Sequence, residues 1–258
     1  MKICVIIPYF GKLPEHFELW YQSCANNKNI DWILITDVNR HFSPVENIRV
    51  INKNLNWVND LIKNKIDNKY KIDSPYKLCD YKPLYGVLFE DLLGGYDYWG
   101  YCDMDLIFGD IKSYFSDGMI KQYDTMQIWG HFTLIKNDPI YLYSLLNELK
   151  DNFELEKILH SKIVWAIDEY ALPAINEKLG KKIYINYEII ADIIPFRKNL
   201  CISNGKRYVF KYENGKVTGY YLDETKNLKT EEYMYIHFQK RTLLVSENIS
   251  TSEYYIID

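Results

Sequence analysis

Residues 98–110 read YWGYCDMDLIFGD, and the fold prediction starts from this stretch. Its first five residues are aromatic or small, which predicts a short buried strand that runs directly into Asp103 and Asp105. Apolar runs and helically spaced apolar residues alternate before it, as is typical of an α/β fold with a mostly parallel sheet flanked by helices. The earlier strands and helices are predicted at residues 2–8, 14–24, 32–36, 47–51, 55–62 and 81–92, the last of these with Asp80 as its N-cap.

The second half of the chain has a less regular pattern. Asn214-Gly215 between two apolar stretches is a strong turn signal, which predicts a β-hairpin addition towards the C-terminus. No linker rich in Gly, Ser or Pro interrupts the chain, so residues 1–258 are predicted to form a single domain. Further strands are predicted at residues 125–128, 132–136, 182–190, 208–212, 217–222 and 233–237, and helices at residues 139–149 and 163–178.

Composition excludes several classes of protein. The chain has 258 residues, of which 48% are hydrophobic and 26% charged, so it is neither disordered nor of low complexity. The net charge of −4 argues against a nucleic-acid partner, which normally requires a basic surface. Five scattered cysteines without a CxxC pair argue against disulfides and a zinc–thiolate site, and predict a cytoplasmic protein with reduced thiols. No apolar run approaches the roughly 20 residues of a membrane span.

Asp103 and Asp105 are the strongest chemical signal in the chain. Two carboxylates at the end of a buried strand repel each other unless a cation or hydrogen bonds compensate. A hard divalent ion with oxygen ligands, Mg²⁺ or Mn²⁺, fits this arrangement. The alternative is a polar exit from the strand, in which both aspartates only help to form a turn.

This pattern resembles the GT-A-fold glycosyltransferases, in which a DxD motif binds a metal ion and the diphosphate of a nucleotide sugar. A second stretch, His237-Phe238-Gln239-Lys240-Arg241, resembles the late His…Lys segment of several families with that fold. The combination is most similar to small bacterial transferases of cell-surface polysaccharide loci, such as those of capsule and O-antigen.

The resemblance implies a GT-A-like, Rossmann-like mixed sheet with a nucleotide-binding half (1–110) and an acceptor-side half (111–258). It also implies a nucleotide-sugar donor, with UDP as the expected nucleotide, and a glycan or lipid-linked glycan as acceptor. Mn²⁺ or Mg²⁺ would assist departure of the nucleoside diphosphate.

The implied metal ligands are Asp103, Asp105 and His237, with Asp103 shared between the metal and the ribose. An imidazole ligand favours Mn²⁺ over Mg²⁺. For His237 the alternative is a partly buried histidine that ends a strand. The residues implied to contact the nucleotide, its diphosphate or the donor sugar are Pro8, Tyr9, Phe10, Thr36, Asp37, Lys77, Asp80, Lys82, Asp103, Trp129, Gly130, His131, Lys240 and Arg241.

Asp168 and Glu169 form a second acidic pair, just before a predicted helix. An inverting transferase needs a carboxylate that takes the proton of the acceptor hydroxyl, and either residue is a candidate. The alternative is an acidic first helical turn, which the helix dipole stabilises. For residues 129–131 the alternative to a donor-sugar contact is a tight turn with packed aromatic side chains.

Residues 196–216 contain six basic residues and one acid. This composition suits a contact with the membrane surface near a lipid-linked acceptor, at the inner face of the membrane. The alternative is a solvated hairpin face.

Three other functions are alternatives to sugar transfer. A nucleotidyltransferase needs a glycine-rich basic loop after the first strand, where only Gly11 is present. A phosphohydrolase with an aspartate nucleophile usually has its DxD motif after the first strand. In this chain the motif at Asp103 and Asp105 follows a later strand, which argues against that function. A non-catalytic carbohydrate- or nucleotide-binding protein on a degenerate GT-A scaffold remains the alternative to the transferase.

Overall fold

A computed structural model describes residues 1–152, 154–197, 199–239, 241, 243 and 254–257. The strands within these residues are β1 (Ile3–Pro8), β2 (Asp31–Thr36), β3 (Ile48–Asn52), β4 (Tyr98–Cys102), β5 (Leu106–Phe108), β6 (Thr125–Trp129), β7 (Phe132–Lys136), β8 (Ile183–Tyr184), β9 (Ile190–Asp192), β10 (Val209–Glu213), β11 (Lys216–Leu222), β12 (Leu228–Tyr233), β13 (Tyr235–His237) and β14 (Tyr254–Ile257). The α-helices are α1 (Phe17–Asn26), α2 (Leu55–Lys65), α3 (Tyr85–Leu88), α4 (Ile111–Tyr114), α5 (Asp117–Ile120), α6 (Pro139–Asn152), α7 (Leu155–His160) and α8 (Ile167–Lys178), with 3₁₀ helices at Pro75–Leu84 and Glu90–Leu92.

Two units share the chain, and neither is a continuous half of the sequence. The first unit combines Met1–Leu13, Asn29–Asp103 and Asp117–Ile185. The second combines Pro14–Lys28, Met104–Ser116 and Asn186–Asp258. The chain therefore passes from the first unit to the second within the DxD motif. The predicted single domain, with its division at residue 110, stays a prediction.

The first unit is built on a seven-stranded sheet of order β3-β2-β1-β4-β7-β6-β8. Strands β3, β2, β1 and β4 are parallel, β7 is antiparallel to both of its neighbours, and β6 is parallel to β8. This mixed α/β architecture, with a mostly parallel sheet and helices packed against it, confirms the predicted fold class.

Strand β1 lies at the point where the strand order changes direction. It pairs with β2 through Pro8 opposite Ile35, and with β4 through Ile6 opposite Tyr101. The carboxyl ends of β2, β1 and β4 therefore meet at one edge of the sheet. In open α/β sheets, ligands bind in the crevice outside such a point.

The core of the first unit explains why these segments become strands. Every residue of β4 is buried, so its run of aromatic and small side chains is covered on both faces. Gly86 allows a helix to approach closely, because a Cβ there would lie 2.6 Å from the Trp99 ring. Helices α6, α7 and α8 contribute apolar faces to the same core.

The second unit contains two small sheets. A four-stranded sheet has the order β12-β11-β10-β14, and a three-stranded sheet has the order β5-β13-β9. The predicted hairpin is confirmed as β10–β11, with Asn214 and Gly215 both at positive φ (51° and 76°) in the turn. Helix α1 packs here through Leu19, which shares an apolar core with Ile107 of β5.

One predicted helix boundary is wrong. Asp80 does not cap a helix over residues 81–92, because it lies inside the 3₁₀ helix Pro75–Leu84. Its carboxylate instead accepts hydrogen bonds from the backbone N–H groups of Trp165 and Ala166, directly before α8. Among the helices of the described residues, none is both long and apolar enough to cross a lipid bilayer.

Candidate active site

Lys82 is the centre of a charged cluster in the first unit. Its Nζ lies 2.8 Å from Oδ1 of Asp103 and 3.5 Å from Oδ2 of Asp168, and it donates a hydrogen bond to the carbonyl of Gly130. Asp103 directly follows β4, and its own backbone N–H donates to the carbonyl of His131 at 2.9 Å. Three predicted site residues, Asp103, Gly130 and Asp168, therefore surround the ammonium group of a fourth, Lys82, and His131 is bonded to the backbone of Asp103.

The electrostatics of this cluster keep Lys82 charged. Its side chain is only 8% exposed, and burial by itself disfavours the ammonium form. The carboxylates of Asp103 and Asp168 outweigh that cost and hold the pKa of Lys82 well above its ordinary value. Lys82 is therefore a fixed positive charge at the carboxyl edge of the sheet.

Asp168 is a buried acid in the first turn of α8. Burial raises its pKa from 3.8 to about 6, and the neighbouring charge of Lys82 opposes this rise. The side chain of Asp168 is 2% exposed, whereas Glu169, the next residue, is exposed. The two members of the acidic pair thus occupy different environments, and only Glu169 has ready access to solvent.

Gly130 lies directly against both acids. A Cβ at this position would lie 2.6 Å from Oε1 of Glu169 and 3.1 Å from Oδ2 of Asp168. Any side chain here would displace the carboxylates, so the glycine permits the close approach. Trp129 ends β6 immediately before this glycine, and His131 is buried with 8% exposure.

The ends of β1 and β2, which hold several of the predicted nucleotide contacts, lie side by side. The carboxylate of Asp37 accepts a hydrogen bond of 2.8 Å from the backbone N–H of Gly11. The backbone of Tyr9 is held by the carbonyl of Ile35 at 2.8 Å. Of the other predicted contacts, Pro8 is half-buried, whereas Phe10 and Thr36 are buried.

In this structure Lys77 and Asp80 form hydrogen bonds with each other and with the backbone near the start of α8. Nζ of Lys77 makes three hydrogen bonds of 2.7 Å, to Asp80 and to the carbonyls of Ile158 and Ile163. An ammonium group has three donors, and all three are therefore occupied. The predicted contact of this pair with the donor stays a prediction, while their observed partners fix the segment before α8.

A second cluster lies within the second unit, around His237. Strand β13 runs between β5 and β9, with His237 opposite Leu106 on one side and Asp192 on the other. Nε2 of His237 lies 3.8 Å from Oδ1 of Asp105. Its Nδ1 donates to Oδ1 of Asp192 at 2.8 Å, and the amide of Gln239 donates to the same oxygen.

Asp105 and His237 of this second cluster could together hold a metal ion. A carboxylate that holds one imidazole nitrogen fixes the ring and directs the other nitrogen, which is the usual support of a metal-ligating histidine. Here the other nitrogen is directed towards Asp105. One imidazole and one carboxylate are ligands that suit Mn²⁺. The metal role predicted for Asp103, which belongs to the first unit, stays a prediction.

Of the two basic residues that follow Gln239, the structure describes only Arg241. Lys240 lies outside the described residues. Arg241 donates hydrogen bonds to the carbonyls of Ile194 (2.7 Å) and Arg197, so it holds a loop. Its predicted contact with the diphosphate stays a prediction.

The basic segment 196–216 is partly neutralised by acids. Lys206 pairs with Glu231, Lys211 with Glu213 and Lys216 with Glu232, at 3.3, 2.9 and 3.9 Å. Lys198 lies outside the described residues. These acids make the surface of the segment less positive than its own sequence suggests. The membrane contact stays a prediction.

Sequence reasoning missed two residues of the second unit. Asp192 was inconspicuous, although an acid inside the apolar run of residues 189–194 is a usable signal. His16 donates from Nε2 to the carbonyl of Met104, the residue between the two motif aspartates, at 3.1 Å. Burial lowers the pKa of His16, so the ring is neutral at pH 7. Nothing in the sequence pattern singled out His16.

Comparison with known proteins gives a family and several similar structures. A family model described as "Family of unknown function (DUF6625)" matches residues 5–258. No curated protein matches the sequence.

Three solved structures illustrate the similarity of the backbone. The galactosyltransferase LgtC, in complex with donor and acceptor sugar analogs, has 12% identity and a TM-score of 0.43, over 74% of this chain and 76% of that one. Mouse xyloside xylosyltransferase 1 has 8% identity and a TM-score of 0.45, over 76% and 88%. A glycosyltransferase involved in glycosylation of the major capsid of PBCV-1 has 9% identity and a TM-score of 0.46, over 93% and 94%.

Proposed function

The chain belongs to the DUF6625 family, and we propose that it is a metal-dependent glycosyltransferase. It would move a sugar from a nucleotide diphosphate donor, with UDP as the expected nucleotide, to a glycan or lipid-linked glycan acceptor. Synthesis of bacterial surface polysaccharide is the setting that the sequence resemblance suggests. A cytoplasmic location and membrane contact through residues 196–216 belong to the same proposal.

The single observation that carries the proposal is the triad of Asp105, His237 and Asp192. Asp105 and His237 are 132 positions apart in sequence, yet their side chains approach to 3.8 Å. Asp192 orients the imidazole in the way that supports metal ligation. Mn²⁺ bound by Asp105 and His237 would stabilise the negative charge that develops on the departing nucleoside diphosphate.

The first unit supplies the residues proposed to bind the donor. The edge formed by the ends of β1 and β2 is proposed to hold the nucleoside, through residues 8–10 together with Thr36 and Asp37. Lys82 supplies the fixed positive charge of this edge, with Asp103 as its partner. Because Asp103 and Asp168 balance its charge, its proposed function is to position these two carboxylates beside the donor.

We assign the proton-accepting function to Glu169 for an inverting transfer. The carboxylate that accepts the proton must reach the acceptor hydroxyl, and Glu169 is exposed whereas Asp168 is buried. Asp168 is then a positioning residue, which holds Lys82 and the first turn of α8 in place. Glu169→Gln is expected to lower kcat by roughly 10²- to 10⁴-fold, the usual contribution of general base catalysis.

The base assignment is tested by comparing Glu169→Gln with Glu177→Gln, a matched change of an exposed acid elsewhere on α8. Only the first variant should lose turnover, while both retain donor binding. Equal turnover in the two variants would remove Glu169 from the mechanism.

The transferase proposal is tested by donor turnover. The purified chain is incubated with UDP-, GDP-, ADP- and dTDP-sugars in Mn²⁺ or in EDTA, and released nucleotide is measured without added acceptor. We expect slow release from one donor class, in Mn²⁺ only, and loss of release in Asp105→Asn. The matched control is Glu224→Gln, an exposed acid of the second unit. Donor binding without any release would identify a binding protein instead.

A further inference from the structure

A group of large apolar side chains is exposed on the first unit, around the start of α8. The exposed fractions are 55% for Tyr76, 68% for Ile163, 44% for Trp165 and 46% for Tyr170. Single exposed apolar residues are normal on a soluble protein, but several from neighbouring segments mark an interaction surface. We call the three aromatic residues among them, Tyr76, Trp165 and Tyr170, the aromatic platform.

Hydrogen bonds with the 3₁₀ helix Pro75–Leu84 fix the backbone that carries Trp165. The buried carboxylate of Asp80 holds the backbone N–H of Trp165 at 2.9 Å and that of Ala166 at 2.8 Å. Lys77 holds the carbonyl of Ile163 at 2.7 Å. The backbone of Trp165 is thus already fixed, which lowers the entropy that this segment of the protein loses when a ligand binds.

The platform shares one short stretch of chain with the acidic pair. Trp165 precedes Asp168 by three residues, and Tyr170 directly follows Glu169. Within the first turn of α8, Asp168 is buried, whereas Glu169 and Tyr170 are both exposed. The exposed ring of Tyr170 and the exposed carboxylate of Glu169 therefore lie on the same turn, and Trp165 lies two residues before that turn begins.

This combination matches the chemistry of a sugar. One face of a pyranose carries C–H bonds with a slight positive charge, which pack on the negative face of an aromatic ring. Its hydroxyl groups donate to carboxylates such as Glu169. A hydrocarbon surface is a poorer partner, because it would strip water from that carboxylate without replacing its hydrogen bonds.

We propose that the aromatic platform binds the acceptor, and that the acceptor is a pyranose glycan that stacks on Trp165 beside Glu169. This inference rests on the proposed transferase function, because it names the acceptor class for the same reaction. Tyr170 and Tyr76 extend the stacking surface.

Saturation-transfer difference NMR tests the platform directly, with lactose, maltose, cellobiose and N,N′-diacetylchitobiose as probes. At least one disaccharide should receive saturation on its ring C–H protons. In Trp165→Ala its Kd should rise about ten-fold, the loss of one aromatic contact. Trp165→Phe should retain most of the binding, because it keeps an aromatic face.

The matched control is Tyr143→Ala on α6, since Tyr143 is a similarly exposed ring (45%) of the same unit. It should leave the disaccharide signal unchanged. The platform assignment is overturned if none of the four disaccharides binds, or if Trp165→Ala binds as the unaltered chain does. Vesicles of phosphatidylcholine and phosphatidylglycerol provide the competing case: sedimentation with them that depends on Trp165, without disaccharide binding, would make this a lipid surface and overturn the assignment.

The NMR measurement needs neither donor nor turnover. A failure of the transferase function would appear as absent nucleotide release with every donor. A failure of the platform would appear as absent disaccharide binding. The two failures are therefore distinguishable.

Discussion

Asp168 makes the stability of the protein depend on pH. Its pKa is about 6 in the folded chain, against 3.8 for an exposed aspartate, and burial is the main cause. Between these two values the folded state holds a proton that the unfolded state has lost. The free energy of unfolding therefore falls as pH rises from about 4 to 6, by roughly 3 kcal/mol in total.

We predict that Asp168→Asn removes this part of the pH dependence. Relative to the unaltered chain, the variant should gain about 3 kcal/mol between pH 4 and pH 7. Urea unfolding at several pH values measures the difference. Asp151→Asn, an exposed change, serves as the control. Parallel stability curves for the unaltered chain and Asp168→Asn would contradict the burial of an ionisable group here.

Gly130 gives a second prediction at the residue scale. In Gly130→Ala the new Cβ would lie 2.6 Å from Oε1 of Glu169, so the end of that side chain must move. We expect turnover to fall by at least about 10²-fold, since a shift of about 1 Å in a reacting group has that effect. A modest loss of stability should accompany this, because the buried carboxylate of Asp168 lies 3.1 Å from the same Cβ and must also shift.

Gly118→Ala is the matched control for Gly130→Ala. Nothing lies within 4 Å of its added Cβ, and it belongs to the same unit. Its turnover should equal that of the unaltered chain. Full activity in Gly130→Ala would show that Glu169 tolerates displacement and is not the base.

Asp80 matters at the scale of elements, because it joins the 3₁₀ helix Pro75–Leu84 to the start of α8. It is 0% exposed, and its carboxylate accepts from Lys77 and from two backbone N–H groups. We predict that Asp80→Ala lowers the free energy of unfolding by about 3–5 kcal/mol, since it leaves Lys77 buried without its charge partner. Urea unfolding measures the loss.

A double-mutant cycle separates the ion pair from the backbone contacts of Asp80. Lys77→Met combined with Asp80→Ala should cost less than the sum of the two single changes, because the second change no longer strands a charge. Strict additivity would mean that the Lys77–Asp80 pair does not contribute, and that only the bonds to Trp165 and Ala166 matter.

Three residues close in sequence to predicted site residues have a strained, left-handed backbone conformation. Gln127, Ala166 and Gln239 have left-handed φ values of 51°, 51° and 48° although none is glycine. Each lies within three residues of a predicted site residue in sequence. Non-glycine residues hold such conformations only where the surrounding structure imposes them. At Ala166 one such constraint is the hydrogen bond that its backbone N–H donates to the carboxylate of Asp80.

Local patterns explain which elements the sequence could predict. The strand β4 was predictable because its aromatic and small residues form a continuous buried run, and the β10–β11 hairpin because Asn214-Gly215 suits a turn with positive φ. The function of Asp80 was not, because its backbone partner Trp165 is 85 positions away. An N-cap signature contains no information about such distant donors.

The candidate site shows the same limit. His237 was identified only through a resemblance, since a lone histidine at the end of a strand has no specific pattern. Its contact with Asp192 arises from the pairing of β13 with β9, which are joined by more than 40 residues of chain. Sheet topology of this kind is set by tertiary packing and cannot be read from hydrophobic periodicity.

At the scale of the whole molecule, each unit carries one chemically distinct cluster. The first unit holds Lys82 between carboxylates, and the second holds His237 between Asp105 and Asp192. We propose that sugar transfer uses both clusters: the first supplies the base, and the second would hold a metal ion for the leaving group.

The most direct test is calorimetric titration of UDP into the chain in Mn²⁺ and again in EDTA. GDP, ADP, dTDP and CMP serve as competing nucleotides. We predict that one nucleoside diphosphate, expected to be UDP, binds in Mn²⁺ and does not bind in EDTA. Its affinity should fall at least about ten-fold in Asp105→Asn, as expected for loss of a metal-site residue. Absence of binding by every nucleotide, or binding that is equal in EDTA and in Asp105→Asn, would contradict the proposed metal-dependent transferase.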